Sequence, residues 1–300
     1  MKNLFYLLLT IPFFLASCSN EDMAASEETV EVSFIAQVPQ GMGTRASSIT
    51  TVDKVYCAVF ENDEEILGLR TEIDIDGEDI NFTPRLIKGR TYDVVFWAAK
   101  DGSYNVDYMT NITRIAGKDE AEYDAFTATT EITVEGNISK SVTLYRPLAQ
   151  LNMGVTEDDW NGVANSNTFN LTPDRIELTI ENVYTSFNAL DGYAQDQDAF
   201  LYNLPVTGAD FQADSKVYKY IAQCYVLMSE TQQNDKGNFN LSYSIYSETK
   251  AIRENAEIIH VPLQANYKTN VVGGLLTGEI EYTISFGNEG GFNGDHNEDI

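Results

Sequence analysis

The run Thr-Tyr-Asp-Val-Val-Phe-Trp-Ala-Ala at residues 91–99 is rich in β-branched and aromatic residues, and the turn pair Asp101-Gly102 follows shortly after it. Such residues fit a pleated, half-buried surface, so the run predicts a β-strand. Similar runs recur along the chain at intervals of about ten residues, with turn residues between them. No long segment after the N-terminus shows the period of an amphipathic helix. The pattern predicts an all-β protein built from antiparallel sandwiches.

Two pairs of runs flank turn triplets, and each pair predicts a hairpin. Residues 129–134 and 138–145 flank Glu135-Gly136-Asn137, and residues 217–227 and 239–246 flank Lys236-Gly237-Asn238. Further strands are predicted at residues 175–183 and 258–263, and one short helix, capped by Asp119, at residues 119–126.

A polar stretch at residues 155–169 is rich in Asn, Asp and Gly, and a new series of strands follows it. We therefore predict a boundary after Leu151 and two β-sandwich domains, residues 46–151 and 152–287. The tail, residues 288–300, contains three glycines and four acidic residues. This composition predicts a flexible segment.

The chain is strongly acidic, with 46 Asp and Glu against 19 Lys and Arg and a net charge of −27 over 300 residues. It lacks the cation cluster that binding to a phosphate backbone requires, so nucleic acid is excluded as a partner. Two histidines and three cysteines leave little for a structural zinc site, and no metal site or cofactor is predicted.

The N-terminus has the layout of an export signal. Lys2 precedes an apolar run at residues 4–16, which is too short to span a membrane, and Leu15-Ala16-Ser17-Cys18 has the form of a bacterial lipobox. We predict a lipoprotein signal peptide at residues 1–17 and lipidation of Cys18. The alternative is an ordinary signal with an incidental cysteine. The other two cysteines, Cys57 and Cys224, lie in apolar runs and are expected to be buried free thiols rather than a disulfide.

Catalytic motifs are missing from the sequence. It has no nucleophile elbow, no H-E-x-x-H, no phosphate-binding loop and no dinucleotide fingerprint. His260 lies within a predicted strand, where a structural role is favoured. Trp97 is expected in the core, while Trp160, in a predicted loop, stays open as a platform for a sugar. The acidic run at residues 74–79 is interpreted as a hairpin turn rather than a cation site. No enzymatic activity is predicted, although a pair of catalytic carboxylates stays open.

Residues 29–38 alternate with a period of two, which is typical of a half-buried strand. A loop with two glycines and a proline follows, and Arg45 is the one basic residue between Lys2 and Lys54, so a trypsin-like protease has a single target there. We interpret residues 18–45 as a propeptide that carries an exchangeable first strand. Its apolar face consists of Val30, Val32, Phe34, Ala36 and Val38.

Residues 279–286 repeat the same alternation near the other end of the chain. Removal of the first strand would open a groove. The second strand of a neighbouring molecule could fill this groove by strand addition. Exchange of this kind runs head to tail and builds a filament. The candidate donor residues are Ile280, Tyr282, Ile284 and Phe286.

Four features together resemble the fimbrillin family, the type V pilins of Bacteroidia. They are the lipobox at Cys18, the Arg45 loop after an alternating strand, residues 144–151 (Leu-Tyr-Arg-Pro-Leu-Ala-Gln-Leu) and residues 266–273 (Asn-Tyr-Lys-Thr-Asn-Val-Val-Gly). The resemblance implies two transthyretin-like β-sandwich domains and export as a lipoprotein to the outer membrane and cell surface. It also implies cleavage of the Arg45–Ala46 bond by a trypsin-like, Arg-specific protease, and polymerisation with other fimbrial subunits through a C-terminal donor strand.

The sequence is consistent with three functional interpretations. The first is a structural subunit of a surface fimbria that contributes to adhesion, with its stalk, tip or anchor position open because of the tail after the donor strand. The second is a monomeric surface lipoprotein that binds glycan or host protein. The third is a secreted hydrolase with paired acids. The exchangeable strand favours the first.

Overall fold

The computed structural model describes residues 27–37, 52–76, 79–164, 171–228, 237–277 and 280–287. These residues form twenty strands and one α-helix. They are β1 Thr29–Gln37, β2 Lys54–Glu61, β3 Glu64–Glu65, β4 Thr71–Asp74, β5 Asp79–Phe82, β6 Arg85–Ile87, β7 Thr91–Ala99, β8 Tyr104–Asn105, β9 Ile112–Arg114, β10 Ala125–Thr133, β11 Ile138–Thr143, β12 Leu148–Val155, α1 Glu157–Ala164, β13 Arg175–Asn188, β14 Tyr193–Pro205, β15 Asp210–Ala213, β16 Lys216–Leu227, β17 Gly237–Ser247, β18 Lys250–Leu263, β19 Lys268–Gly274 and β20 Glu281–Gly287.

The first half of the chain is a sandwich of two sheets. Sheet A has the order β11-β1-β5, with β6 also paired to β1, and sheet B has the order β10-β7-β2-β3, with β4 paired to β2. The inner faces of the two sheets share one apolar core, in which Phe34 and Phe82 of sheet A meet Phe96 of sheet B. The prediction of an all-β sandwich is confirmed for this half.

The second half is built on sheet C, which has the order β18-β17-β13-β16-β12-β19-β20. Four further strands belong to this sheet: β14 and β9 pair with β13, β15 pairs with β16, and β8 pairs with β9. Side chains from strands far apart in this order, such as Ile258 of β18 and Val271 of β19, belong to the same buried cluster. The sheet therefore curves around its own core and forms the second sandwich.

A third buried cluster joins the two halves. It contains Trp97 and Tyr56 from the outer face of sheet B, and Leu148, Phe187 and Tyr225 from sheet C. The Trp97 ring is fully buried and lies 5.3 Å from the ring of Phe187. The expectation that Trp97 is a core residue is confirmed.

Both hairpin predictions are wrong. β10 pairs with β7 in sheet B whereas β11 pairs with β1 in sheet A, so the turn at residues 135–137 carries the chain from one sheet to the other. β16 and β17 lie on either side of β13 rather than side by side. The strands before and after Asp76 also belong to different sheets, since β4 pairs with β2 and β5 with β1. Turn residues reverse the local chain direction, but they do not determine which sheet the next strand joins.

The predicted boundary after Leu151 falls inside β12, which pairs along its length with β16 and β19. The run of strands that builds sheet C therefore begins with β12 at Leu148, before the predicted position, although β8 and β9 attach to this sheet from earlier in the chain. The polar stretch at residues 155–169 contains α1, and three acidic residues in the first turn of this helix favour a helix start. The predicted helix at residues 119–126 is a 3₁₀ turn, Glu120–Tyr123, and the Asp119 side chain makes no capping hydrogen bond. Within the described residues, none of the helices is long and apolar enough to cross a membrane.

Candidate functional site: the slot filled by the first strand

The first strand, β1, occupies the centre of sheet A. One of its edges pairs in parallel with β11, where Phe34 lies opposite Lys140. The other edge pairs antiparallel with β6 and then β5, where Val30 lies opposite Leu86 and Phe34 opposite Phe82. We call the space that β1 fills between these strands the slot. Because both edges of β1 are paired, its departure would leave unpaired backbone groups on each side of the slot.

The inward face of β1 is part of the core. Val32, Phe34 and Ala36 have no solvent exposure, and Val30 packs half-buried against the same cluster. The Phe34 ring lies 6.2 Å from the ring of Phe82 and 6.1 Å from that of Phe96, distances typical of paired aromatic rings. Four of the five predicted inward residues therefore face the core, while Val38 lies outside the described residues.

The start of β1 is bound by charged groups. Glu28 lies 3.2 Å from the Lys88 ammonium, and Glu27 pairs with Arg90, which also binds Glu61 at 3.0 Å. Hydrogen bonds from Arg90 to these two carboxylates raise the pKa of its guanidinium. Arg85 lies opposite Glu31 in the strand register and donates to the carbonyl of Thr29 at 3.2 Å. Three basic side chains, Arg85, Lys88 and Arg90, thus line one end of the slot. No sequence spacing indicated them, since the residues that they contact at the start of β1 lie 56 to 63 positions away in the sequence.

The other end of β1 leads directly to the predicted cleavage loop. The carbonyl of Gln37 accepts a hydrogen bond from Leu144 N at 2.9 Å, which holds the end of the strand against β11. Arg45 and Ala46 lie outside the described residues, as does Cys18. Val52, the next described residue after β1, is buried in the same core as β1.

The candidate donor strand is β20, the last strand in the order of sheet C. It pairs antiparallel with β19. Ile284 is buried against the core of sheet C, and Ile280 and Tyr282 pack half-buried on it. The backbone of Phe286 pairs with Thr269, while its side chain lies outside the described part. In the described part of the chain, β20 is therefore docked in its own molecule and pairs with another strand, β19, along one edge.

Gly273 of β19 allows β20 to dock. A Cβ atom at this position would lie 2.8 Å from the Cα of Tyr282 and still closer to the carbonyl oxygen of Glu281. Real side chains do not approach backbone so closely, so residue 273 must be glycine for the two strands to pair. A Cβ at the next residue, Gly274, would meet the same oxygen at an ordinary 3.9 Å.

The two sequence segments that resemble fimbrillins lie together. Residues 150–155 of β12 pair in parallel with residues 268–273 of β19. Just before β12, the fully buried Arg146 binds Asp124 through two hydrogen bonds of 2.6 and 2.9 Å and donates to Asn266 at 3.2 Å. Its guanidinium also lies 4.6 Å from the centre of the Phe126 ring. This buried ion pair connects the end of sheet B to sheet C, and sequence reasoning missed it.

The remaining candidate residues do not join the slot. Trp160 lies on α1 and not in a loop, and it packs half-buried over Gly208, where a Cβ would lie 2.7 Å from the ring. The prediction that Trp160 lies in a loop is wrong, and its indole fills the space that this glycine leaves. His260 is exposed on β18.

Cys57 and Cys224 are buried free thiols, as expected, and burial raises the pKa of both. The described part holds no group of three His, Cys, Asp or Glu residues that could bind a metal ion.

A family model described as a family of unknown function (DUF6562) matches residues 24–300. No curated protein matches the chain. Among solved structures, one from Bacteroides thetaiotaomicron, described as "putative polysaccharide binding proteins (DUF1812)", has a TM-score of 0.51 and 12% identity, and the alignment covers 85% of this chain and 95% of that one. A fimbrial assembly protein from Parabacteroides distasonis has a TM-score of 0.42 and 12% identity over 87% and 96% of the two chains. The tip fimbrial protein Mfa3 from Porphyromonas gingivalis has a TM-score of 0.46 and 11% identity over 86% and 99%. At 12% identity, the likeness to the Bacteroides thetaiotaomicron structure concerns the fold alone.

Proposed function

This chain belongs to the DUF6562 family, and we propose that it is a structural subunit of a surface fimbria. In this proposal the chain is exported as a lipoprotein through Cys18, reaches the cell surface and is cleaved after Arg45. The first strand then leaves, and β20 of a second copy fills the slot. The chain has no catalytic role in this process.

One observation carries the proposal: β1 is a central strand whose inward side chains Val32, Phe34 and Ala36 are fully buried, yet the chain reaches Arg45 only eight residues after the end of this strand. A cut at Arg45 would separate a core strand from the rest of the protein by breaking a single peptide bond. Each large apolar side chain that leaves exposes surface worth roughly 1.5–3 kcal/mol. The opened slot would therefore bind a replacement strand strongly.

The geometry of β20 supports its role as the replacement. In its own sheet β20 pairs with β19 alone among the described strands, whereas a strand in the slot pairs along both edges. Transfer from the edge of sheet C to the centre of sheet A adds main-chain hydrogen bonds and deeper burial for Ile284 and its apolar neighbours. Release from β19 opposes the transfer, because Ile284 is already buried there.

Limited digestion of the purified precursor with trypsin tests the proposal. We expect a product that starts at Ala46, loss of the fragment that carries β1, and a ladder of multimers in native mass spectrometry. The matched variant Arg45→Ala should keep β1 and stay monomeric. If the wild-type chain yields monomers only, or if the variant gives the same ladder, the proposal is wrong, and the monomeric surface lipoprotein that binds glycan or host protein becomes the better interpretation.

A further inference from the structure

A cleft of about 880 Å³ lies where residues 114–123 meet sheet C. One wall is the segment after β9 together with the 3₁₀ turn, and the floor comes from β14 and β16. Sites for small ligands typically measure roughly 300–1,000 Å³, so the cleft has the size of a ligand site. Neither β1 nor β20 lines it. The cleft is therefore separate from the slot.

Aromatic side chains line the cleft. Phe200 and Tyr220 are half-buried, and one face of the Tyr220 ring stacks on Phe211 at 3.9 Å, while Tyr123 and Tyr202 lie beneath them and are buried. Leu201, which also lines the cleft, is 59% exposed, an unusual exposure for a large apolar side chain in the middle of a strand. Phe200, Tyr220 and Leu201 therefore offer the accessible apolar surface of the cleft to a ligand.

Two side-chain amides lie beside this apolar surface. Asn203 is exposed between the buried Tyr202 and Leu204 of β14, so it points away from the core. Gln223 is exposed in the same way on β16. Within the described ranges, neither amide forms a hydrogen bond with another residue. Each amide carries two N–H donors and an accepting oxygen, so the cleft holds unused capacity for polar contacts next to its aromatic rings.

The charges in the cleft are already balanced. The Arg114 guanidinium lies 3.4 Å from the Glu120 carboxylate and stacks over the Tyr123 ring at 4.5 Å. Arg114 also donates to the carbonyl of Tyr225, while Glu120 accepts from the N–H of Tyr225 at 3.2 Å. The pair is thus fixed to β16 and is not free to bind a charged ligand. Lys118 and Asp119, which also line the cleft, have opposite charges.

The charge of the whole molecule disfavours an anionic ligand, since a net charge of −27 repels anions on approach. Two basic and two acidic side chains line the cleft, Arg114, Lys118, Asp119 and Glu120, so their charges cancel and the cleft itself does not attract a cation. A neutral ligand with both apolar and hydroxyl-rich surfaces fits the aromatic rings and the free amides together.

We propose that this cleft binds a short neutral saccharide. The apolar C–H face of a sugar ring packs on the aromatic floor, and its hydroxyl groups exchange hydrogen bonds with the amides of Asn203 and Gln223. A fimbrial subunit with such a site would carry its own glycan contact in addition to its assembly slot.

Isothermal titration calorimetry of the full chain tests the site. The probes are maltotriose, cellotriose, mannotriose and tri-N-acetylchitotriose, with trigalacturonate as the acidic comparison. We expect saturable binding of at least one neutral trisaccharide and weaker or no binding of the acidic one. In the double variant Asn203→Ala/Gln223→Ala, loss of two hydrogen bonds should weaken binding about tenfold or more. The control Gln212→Ala removes an exposed amide of β15 outside the cleft and should leave binding unchanged.

Circular dichroism of each variant separates loss of binding from loss of fold; both amides are exposed, so the fold should persist. If the double variant does unfold, the single variant Leu201→Ala, which removes exposed apolar surface from the same cleft, replaces it. The proposal is overturned if none of the neutral probes binds, if the acidic probe binds best, or if the cleft variants bind as tightly as the unchanged protein.

Discussion

At the scale of single residues, Gly273 controls whether β20 stays in its own sheet. A methyl group at residue 273 would collide with the backbone of Glu281 and Tyr282. A methyl group at residue 274 would make only an ordinary van der Waals contact, 3.9 Å from the carbonyl oxygen of Glu281. We expect Gly273→Ala to weaken the docking of β20 by roughly 1–3 kcal/mol, the usual range for overpacking. Hydrogen exchange of the amides of residues 281–287 should then be roughly 5- to 150-fold faster, and multimers should form sooner after cleavage.

The matched variant Gly274→Ala should exchange at the unchanged rate. Equal protection of β20 in the two variants would show that the contact at residue 273 does not hold the strand.

The two thiols report separately on the two halves of the molecule. Cys57 belongs to the same core as Phe34, and Cys224 belongs to the core of sheet C. Both are buried, and burial raises the pKa of each thiol, so neither reacts readily in the intact chain. In protein produced without residues 1–18, cleavage at Arg45 should make Cys57 reactive to a maleimide and leave Cys224 protected. Mass spectrometry of the labelled peptides measures this.

Protection of Cys57 should return once multimers have formed, because a donor strand then covers the core again. Labelling of Cys57 at the same rate in the Arg45→Ala variant would contradict this account of the thiol.

The fully buried pair of Arg146 and Asp124 is a polar contact at the junction of the two halves. Arg146→Ala leaves the Asp124 carboxylate buried without a partner, which typically costs about 3–5 kcal/mol. The exposed pair of Lys100 and Asp53 serves as the control, and Lys100→Ala should cost no more than about 1 kcal/mol. Urea unfolding followed by tryptophan fluorescence measures both. Similar midpoints for the two variants would exclude a special role for the buried pair.

At the scale of elements, β1 should behave as a separable ligand for the slot. A synthetic peptide of residues 27–38, added to cleaved protein, should bind the slot and block multimer formation. Its Phe34→Ala form should bind more weakly by roughly 3–5 kcal/mol, since Phe34 is fully buried between two aromatic rings. The Ser33→Ala form, changed on the outward face, should bind like the unchanged peptide. Fluorescence anisotropy of labelled peptides gives the affinities, and equal affinities for the two altered peptides would contradict the described packing.

Salt should weaken the binding of this peptide. Its acids Glu27 and Glu28 lie against Arg90 and Lys88 at the exposed end of the slot, where dissolved ions screen charges effectively. A peptide with both acids replaced by Gln should bind more weakly at low salt and show less dependence on salt. If the two peptides respond equally to salt, these ion pairs do not contribute to retention of the strand.

The sequence was most informative for elements with strict alternation. Val32, Phe34 and Ala36 were predicted to face inward, and the structure buries all three, because a period of two fixes the side on which each side chain lies. The partners of β1 could not be predicted, since β11 lies about a hundred residues away and pairs in parallel. The hairpin predictions failed for the same reason: pairing depends on contacts distant in sequence, and turn residues carry no information about them.

The helix α1 was missed because Asn, Asp and Gly in a polar stretch are typical of loops. Its stability comes from tertiary contacts, which are invisible in the sequence. Asp159 accepts hydrogen bonds from the backbone of Leu276 and Thr277, and Trp160 packs over Gly208. The basic groups at the slot and the cleft beside Arg114 were hidden in the same way.

At the scale of the whole molecule, the chain is two β-sandwiches with the slot in the first and the candidate donor strand at an edge of the second. In the proposed exchange the donor strand of one copy enters the slot of the next, and such a head-to-tail contact extends into a filament when its rotation does not close a ring. The large negative charge opposes unspecific association and leaves strand pairing as the specific contact.

A mixing experiment with two full-length variants tests the exchange most directly. Arg45→Ala keeps its own β1 and can only donate β20, while Ile284→Asp can be cleaved and accept a strand but carries a charged residue where the donor strand must be apolar. After trypsin treatment, each variant alone should stay monomeric in native mass spectrometry, and the mixture should give a heterodimer that contains one uncleaved and one cleaved chain and does not grow further. A mixture that stays monomeric, or a cleaved Ile284→Asp chain that forms long multimers by itself, would contradict the exchange of β1 for β20.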